Sequence, residues 1–519
     1  MRTALFISLI VIIGSSNAFA QKTVTVKRAG SLKQVIIDGE SVQKLVEDVW
    51  LLHESTNIKC DSAYFYKKTN SAKAFGNVRI TDAEDGLNLR GEYMEYDGNG
   101  RVAKMRDKVI MLDDSASLYT DNLDFDRNKQ IGYYYNGGKL VDSTTVLTSI
   151  SGYYNTLTKA SQFIDSVFLE SPDYQLTTDT LNYSTLTKIL VTRGETEAFT
   201  YDGDTLRTKV GLLYNSNLKY SEIYYGNITT AAYEIKADSI FANDVSQFYQ
   251  AARNVRMESK EDSLTIFGEH MKYYRNQGKS IIYEDAYVRK LIQNDSLYIK
   301  GDTLISVQDT LANQKYLTAY KGVELFKSDM QGRADSIGYN LNDSTIYMYQ
   351  DPIIWNVDSQ IEADSINISI SNNLIHRMDL TLNSFVITQD TVLNFNQVKG
   401  RNMKVFFDDG LITRTDINGN GESIYFAIDK KTGASSMNKV ICSNMAIYFE
   451  NNAVSELRMF SNVEGDYVPP IEITEPDTKL RGFNWQDESK PKLLDIALHL
   501  REEPPILKGK KEKAPVKKG

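Results

Sequence analysis

Gln360-Ile-Glu-Ala-Asp-Ser-Ile-Asn-Ile368 is the stretch on which the reading of this chain turns. From Ile361 it runs apolar, any, small, acidic, any, apolar, any, apolar. The same form recurs in Leu176-Thr-Thr-Asp-Thr-Leu-Asn-Tyr183, Ile235-Lys-Ala-Asp-Ser-Ile-Phe241, Ile299-Lys-Gly-Asp-Thr-Leu-Ile305 and Gln331-Gly-Arg-Ala-Asp-Ser-Ile-Gly-Tyr339. Looser copies are Leu89-Arg-Gly-Glu-Tyr-Met-Glu-Tyr96, Leu118-Tyr-Thr-Asp-Asn-Leu-Asp-Phe125 and Ile266-Phe-Gly-Glu-His-Met-Lys-Tyr273. Aligned on the acidic residue, they fall at 92, 121, 179, 238, 269, 302, 335 and 364, in steps of 29, 58, 59, 31, 33, 33 and 29. The two double steps each hold a degenerate copy, around Tyr153 and Val210, and Asp61 lies 31 before Glu92. A period near 30 residues over most of a chain is the signature of a repeat architecture.

The unit is rich in β-branched and aromatic residues and is bounded by Asn, Asp, Gly and Ser, which fits strands rather than helices. Ile361 and Ala363 share one face of a strand, and so do Ile366 and Ile368. Ile366 is five residues from Ile361, however, and an odd offset puts the second pair on the opposite face of a regular strand. The phase predicts a corner at the small-acidic step, with the small residue (Ala363, Gly301, Ala334, Gly268, Cys60) in the inner bend and the acid accepting hydrogen bonds from turn N–H groups. That structural role outweighs the reading of the acids as a ladder of metal ligands.

Between copies lies a second strand that carries Gly or Asn before an apolar residue: Phe75-Gly-Asn-Val-Arg-Ile80, Arg253-Asn-Val-Arg-Met257, Lys321-Gly-Val-Glu-Leu325. Val78 and Ile80 alternate with Arg79, as expected of an antiparallel strand with one wet face. One repeat is therefore two strands and two turns in about 30 residues. The expected fold class is all-β, an elongated, solenoid-like array of antiparallel strand pairs.

The 519 residues carry a net charge of −9, with no basic balance that would point to nucleic acid. Tyr is abundant (32) and Pro scarce (9), which suits extended sheet. Cys60 and Cys442 sit in equivalent repeat slots, where a buried small residue is preferred to a disulfide. The four His residues are scattered, and there is no phosphate-binding Gly loop, nucleophile elbow or Cys-x-x-Cys pair. The chain is read as a non-enzyme with no cofactor and no metal.

Met1-Arg-Thr, the apolar run Ala4–Ile13 and the small-residue site Ser15-Ser-Asn-Ala-Phe-Ala20 read as a secretory signal peptide (1–20), cut after Ala20. Residues 21–465 are assigned to the repeats, with 21–50 an atypical first copy. Asp97-Gly-Asn-Gly100, Tyr135-Asn-Gly-Gly138 and Asn418-Gly-Asn-Gly421 read as hairpin turns. After Asp364 the spacing loosens to Asn402 and Asn444, as longer loops would make it. Residues 466–519 form a Pro-containing, Lys-rich tail that is partly disordered, within which Leu480-Arg-Gly-Phe-Asn-Trp485 is an apolar cluster able to dock.

The signal sequence, the strand-pair repeats, the Gly-Asn-Val strands and the Ala-Asp-x-Leu-x-Tyr units together resemble the OstA/LptA family of lipopolysaccharide-transport proteins, in particular the long OstA-like type of Bacteroidetes-like bacteria. The resemblance covers roughly residues 40–460. The chain is far longer than the short bridge proteins of that family, and it has no room for the outer-membrane barrel of their partner. The resemblance implies a twisted β-jellyroll that carries the acyl chains of lipopolysaccharide (lipid A) in an apolar groove through the periplasm, with outer-membrane association as a variant. It also implies partners that are other β-jellyroll components of a transport bridge, joined by strand-edge addition. Candidate groove-lining residues are Leu89, Leu118, Leu176, Leu181, Ile235, Ile240, Ile299, Leu304, Ile361 and Ile366. The competing expectation is a structural or surface β-solenoid with a filled core and no lipid cargo.

Overall fold

The computed structural model describes residues 23–493, except 83, 85, 114–115, 293–294, 310–313, 357, 373, 391, 410, 430–432 and 451–452. The expected signal peptide and the Lys-rich end (508–519) lie outside the described residues. Among the described residues, thirty-four strands run from Thr25–Arg28 to Glu464–Val468, and the chain divides between Leu190 and Val191 into two compact units.

In the first unit, neighbouring strands pair antiparallel in chain order: Glu40–His53, Thr56–Tyr66, Ser71–Asp82, Asn88–Asp97, Val102–Leu112 and Ser117–Asp126. Along Thr56–Tyr66 the buried positions are 56, 58 and 60, then 63 and 65, so the inward face switches at Asp61-Ser62. The ladder slips at the same place. Lys59 opposes Arg79 and Ser62 opposes Phe75, which sets two residues against three. The extra residue is absorbed by two consecutive left-handed residues on the facing strand, Gly76 (φ 74°) and Asn77 (φ 47°). Glycine suits position 76, since a Cβ there would lie 2.5 Å from Asp61 Oδ2 and the Asp61 side chain would have to shift. The same left-handed pair recurs at Glu47-Asp48, Asp107-Lys108, Asn136-Gly137 and Asp165-Ser166. The corner expected at the small-acidic step is present, but the unusual backbone belongs to the neighbouring Gly-Asn-Val strand.

The acids stabilise that corner. Asn77 Nδ2 donates to Asp61 Oδ2 at 2.9 Å, and the Lys108 N–H donates to Asp121 Oδ1 at 3.2 Å. Each strand is thereby bent into two arms, and the arms stack into two sheets that share the line of corners. The first sheet holds Ile58 and Leu89, the second Ala63 and Met94. Opposite the corners each sheet ends in a rim of turns. On the second rim the turns bond one to the next, Gly98 N–H to Asn70 O, Arg127 to Arg101, Thr156 to Gln130 and Thr185 to Lys159, each at 3.0 Å.

Asp97-Gly-Asn-Gly100 is a hairpin turn whose Asp97 Oδ1 accepts the N–H groups of Asn99 and Gly100. Tyr135-Asn-Gly-Gly138 and Asn418-Gly-Asn-Gly421 are not hairpins but corners, with left-handed Asn136-Gly137 and Gly419-Asn420. Two-residue hairpins such as the one at Asp38 (φ 51°) and Gly39 (φ 79°) and these corners both need two positive φ angles in a row, so the same Asn-Gly chemistry serves either.

The second unit repeats the plan. Left-handed pairs occur at Arg253-Asn254, Glu284-Asp285, Lys321-Gly322, Gln350-Asp351, Leu382-Asn383 and Gly419-Asn420. Asn254 Nδ2 bonds Asp238 and Asn383 Nδ2 bonds Asp364, both at 2.9 Å. The wider spacing after Asp364 comes from longer strands, not longer loops: Leu374–Gln389, Phe395–Asp408, Leu411–Ile428 and Ser435–Glu450 have 14 to 18 residues, against 11 in Tyr233–Asn243. Their first-sheet arms carry a second apolar face, outside the sheet, formed by Phe385, Ile387, Ile424, Phe426 and Met437. Leu480 packs on it together with Ile473, Phe483 and Trp485, so the segment after Val468 docks there. Two buried amides clamp it. Gln397 accepts the Leu480 N–H (2.8 Å) and donates to Thr478 O (2.7 Å), and Gln360 accepts the Gln486 N–H (2.7 Å) and donates to Asn484 O (2.6 Å).

Candidate functional site

The inner faces of the two sheets are continuous apolar ladders. On the first sheet of the first unit, cross-strand partners run Leu51, Ile58, Ile80, Leu89, Met111, Leu118, Leu140, Leu147, Leu169, Leu176. Each residue lies directly opposite the next, where side chains pack best. On the second sheet Leu181 follows Phe163, which continues the row from Met94, Met105 and Leu123.

In the second unit, Ile235, Ile299 and Ile361 lie on the first-sheet ladder, with Met257, Ile266, Val288, Leu325, Gly332 and Ile354 between them. Ile240, Leu304 and Ile366 lie on the second-sheet ladder, with Ala251, Met271, Ile282, Ala319, Ile337 and Met348 between them. A Cβ built on Gly332 would sit 3.2 Å from the Met348 methyl, so the two inner faces touch.

All ten candidate residues therefore face the interior, and none exposes more than 2% of its surface. The structure brings them together as rungs of these ladders rather than as one pocket. The sequence reading missed the methionines between them. Eleven of the chain's thirteen are buried, most of them on these ladders, and their unbranched thioethers can reshape around a guest. Their signal was the alternation that Met94 and Met271 share with the repeat unit, and that Met257 shares with Val255. The covering thins toward the last strands. Val386, Val398 and Val440 are half-buried, while Tyr425 and Met459 are 39% and 37% exposed. Cys60 and Cys442 are free, buried thiols in the inner bend, and burial pushes Cys60 up to about 11.

Where the rims meet, polar side chains close the interior. Arg101 binds Glu54. Arg127 binds Asp82 (2.5 Å), with both side chains buried. Lys159 and the Tyr154 hydroxyl converge on Asp113. Lys188 and the Tyr183 hydroxyl converge on Asp142, each at 2.6 Å. In the second unit Arg275 binds Asp204 (2.6 Å), Lys315 binds Glu261 (2.8 Å) and Tyr233 donates to Gln308 (2.9 Å). In each of these ion pairs the carboxylate stands on the first rim and the cation on the second. Burial alone would raise Asp82, but hydrogen bonds from Ser55, the Glu84 N–H and Thr56, with the Arg127 charge, hold it below the usual carboxylate range. Burial pushes Tyr183 up, and its bond to Asp142 pushes it further.

Among the described residues, free edges lie at the two ends of the strand series, on the first sheet at Thr25–Arg28 and Glu464–Val468 and on the second at the strands named next. Ser31–Ile37 pairs with Glu40–His53, exposing Leu32 and Ile36, and Ala453–Phe460 pairs with Ser435–Glu450, exposing Met459 and Phe460.

No curated protein matches the chain. Two families do. Residues 21–179 match the family described as OstA-like protein, and residues 239–373 match the LptA/(LptD N-terminal domain) LPS transport protein. Those families are transport-related rather than enzymatic. The matched segments include eight of the ten ladder residues, from Leu89 to Ile366. The two matches and the repeated bent strand pair lead to one conclusion: the chain belongs to the OstA/LptA-like family of lipopolysaccharide-transport proteins.

Proposed function

We propose that the chain is a periplasmic bridge that carries lipopolysaccharide toward the outer membrane, with the acyl chains held between the two inner faces. The observation that supports this is the continuity of the apolar ladders through each unit. A lipid crossing water needs unbroken apolar contact, because each exposed CH₂ costs ~0.8 kcal/mol, and a repeated rung supplies it without a discrete pocket. The free edges at Ser31–Ile37 and Ala453–Phe460 suit head-to-tail strand addition with other jellyrolls of the bridge. Residues 1–20, read as a cleavable signal, fit export to that compartment.

The alternative is a structural β-array with a filled core. It draws on the tight packing of the ten ladder residues. Photo-crosslinking residues placed at Ile299 and Ile361, with exposed Arg79 as control, separate the two in the protein's own cells. Lipopolysaccharide adducts at the interior positions and none at 79 support the conduit. Clean protein at both, with intact sheet by circular dichroism, establishes the filled core.

A further inference from the structure

We infer that the line where the rims meet is a gate. It parts along its length to admit an anionic amphiphile, whose phosphate groups replace the rim carboxylates on the cations Arg101, Arg127, Lys159 and Lys188. This rests on the conduit reading above and adds the route and the part of the lipid that opens it.

Three observations carry it. First, the inner faces are in contact and their ladder residues are buried, so an acyl chain has to separate the sheets. Second, the two long margins of the sheets are held differently. At the corners both sheets share continuous strands and backbone ladders. At the rims they are joined by side chains such as Lys188–Asp142 and Arg127–Asp82. The rims are the margin that separates without breaking a strand. Third, the bridges are polar in one sense, with cations on the second rim and carboxylates on the first. Parting the rims leaves a row of positive side chains, one per strand pair, about 10 Å apart. A phosphate monoester offers three acceptor oxygens and up to two charges, and it pairs with Arg in the same forked geometry as a carboxylate. Exchange of anions keeps each partly buried cation paired, which avoids the large cost of stranding it. The freed carboxylates turn to water at the first rim.

Cys60 reports the opening, because its thiol lies in the inner bend at 6% exposure. In full-length protein carrying Cys442→Ser, an apolar maleimide should label Cys60 at least tenfold faster with micelles of a phosphorylated lipid A-type glycolipid than without. The dephosphorylated glycolipid and inorganic phosphate alone should leave the rate unchanged. Acceleration by the dephosphorylated lipid would overturn the phosphate exchange, and equal acceleration by inorganic phosphate would overturn the lipid as the ligand.

Variants lacking one rim cation risk misfolding, so a second test locks the gate instead. Asp142→Cys and Lys188→Cys, in a background of Cys60→Ser and Cys442→Ser, are joined by a short bis-maleimide, with a photo-crosslinker at Leu118. Bridged protein should lose glycolipid adducts at 118 at least tenfold relative to the same protein capped with a monofunctional maleimide. Equal adducts in both would show that lipid enters by the ends, overturning the gate and leaving the conduit intact. No adducts in the capped protein, nor at Ile299 and Ile361, would overturn the conduit itself.

Discussion

Asn77 donates its side-chain amide to Asp61 across the corner at 2.9 Å, and the bond returns as Asn254 to Asp238 and Asn383 to Asp364. The donor is one of the two left-handed residues that absorb the extra position, and the acceptor is the acid of the repeat motif. One hydrogen bond thus joins the two sequence features from which the repeat is recognised.

Removing the Asp238–Asn254 bond should cost about 1 kcal/mol, the usual net worth of such a bond. Gly76→Ala should cost more, about 1–3 kcal/mol, because the backbone there is left-handed and the new methyl meets Asp61. Urea midpoints of Asp238→Ala and Gly76→Ala test this ranking. A Gly76→Ala protein as stable as wild type would contradict the corner geometry.

Leu304 is fully buried on the second-sheet ladder, whereas Tyr320 beside the corner is 42% exposed. Leu304→Ala should destabilise the fold by about 2–5 kcal/mol. Tyr320→Ala should stay within about 0.5 kcal/mol of wild type. Comparable losses at both positions in thermal unfolding would mean that the inner face is not where the ladders place it.

Asp82 titrates below its unfolded value of ~3.9, so its share of stability is complete above about pH 4 and is lost as pH falls through the folded value. Tyr183 titrates above its unfolded value of ~10. Its share is complete below about pH 10 and is lost as pH rises beyond it. Urea midpoints measured against pH should decline at both ends. Asp82→Asn should flatten the acid limb and Tyr183→Phe the alkaline one, and unchanged limbs would remove these groups from the account.

Gln397→Ala leaves the Leu480 N–H and Thr478 carbonyl without the partner they share. The expected loss is about 1–3 kcal/mol, confined to docking of the last described segment. Trp485 fluorescence should shift to the red before the sheet signal changes. A single simultaneous transition would show that the segment does not detach on its own.

The corner was legible because side-chain phase in a strand is strict, and the odd offset from Ile361 to Ile366 admits no straight strand buried on one face. Which strand carries the unusual backbone was not, since Gly76-Asn77 reads equally well as turn chemistry. The same ambiguity turned Asn136-Gly137 and Gly419-Asn420 into hairpins on paper. The ten ladder positions followed from periodicity alone. The rim bridges did not, because Asp142 and Lys188 are 46 residues apart and no local pattern links them. The docked cluster around Leu480 could be seen as apolar, but its receiving face on Phe385 and Ile424 is hidden within strands that alternate like any others.

The turn-to-turn bonds on the second rim join near neighbours: Gly98 to Asn70 spans 28 residues and Arg127 to Arg101 spans 26. A body assembled from such short loops pays its closure entropy in small, equal instalments, and its contact order stays low for an all-β protein. Each new strand finds its template already in place, so the chain can crystallise onto itself from whichever end appears first. A ribosome or a secretion pore that delivers the polypeptide slowly then suits this architecture. Strands are consumed about as they emerge, so few unpaired strands accumulate while the chain is being delivered.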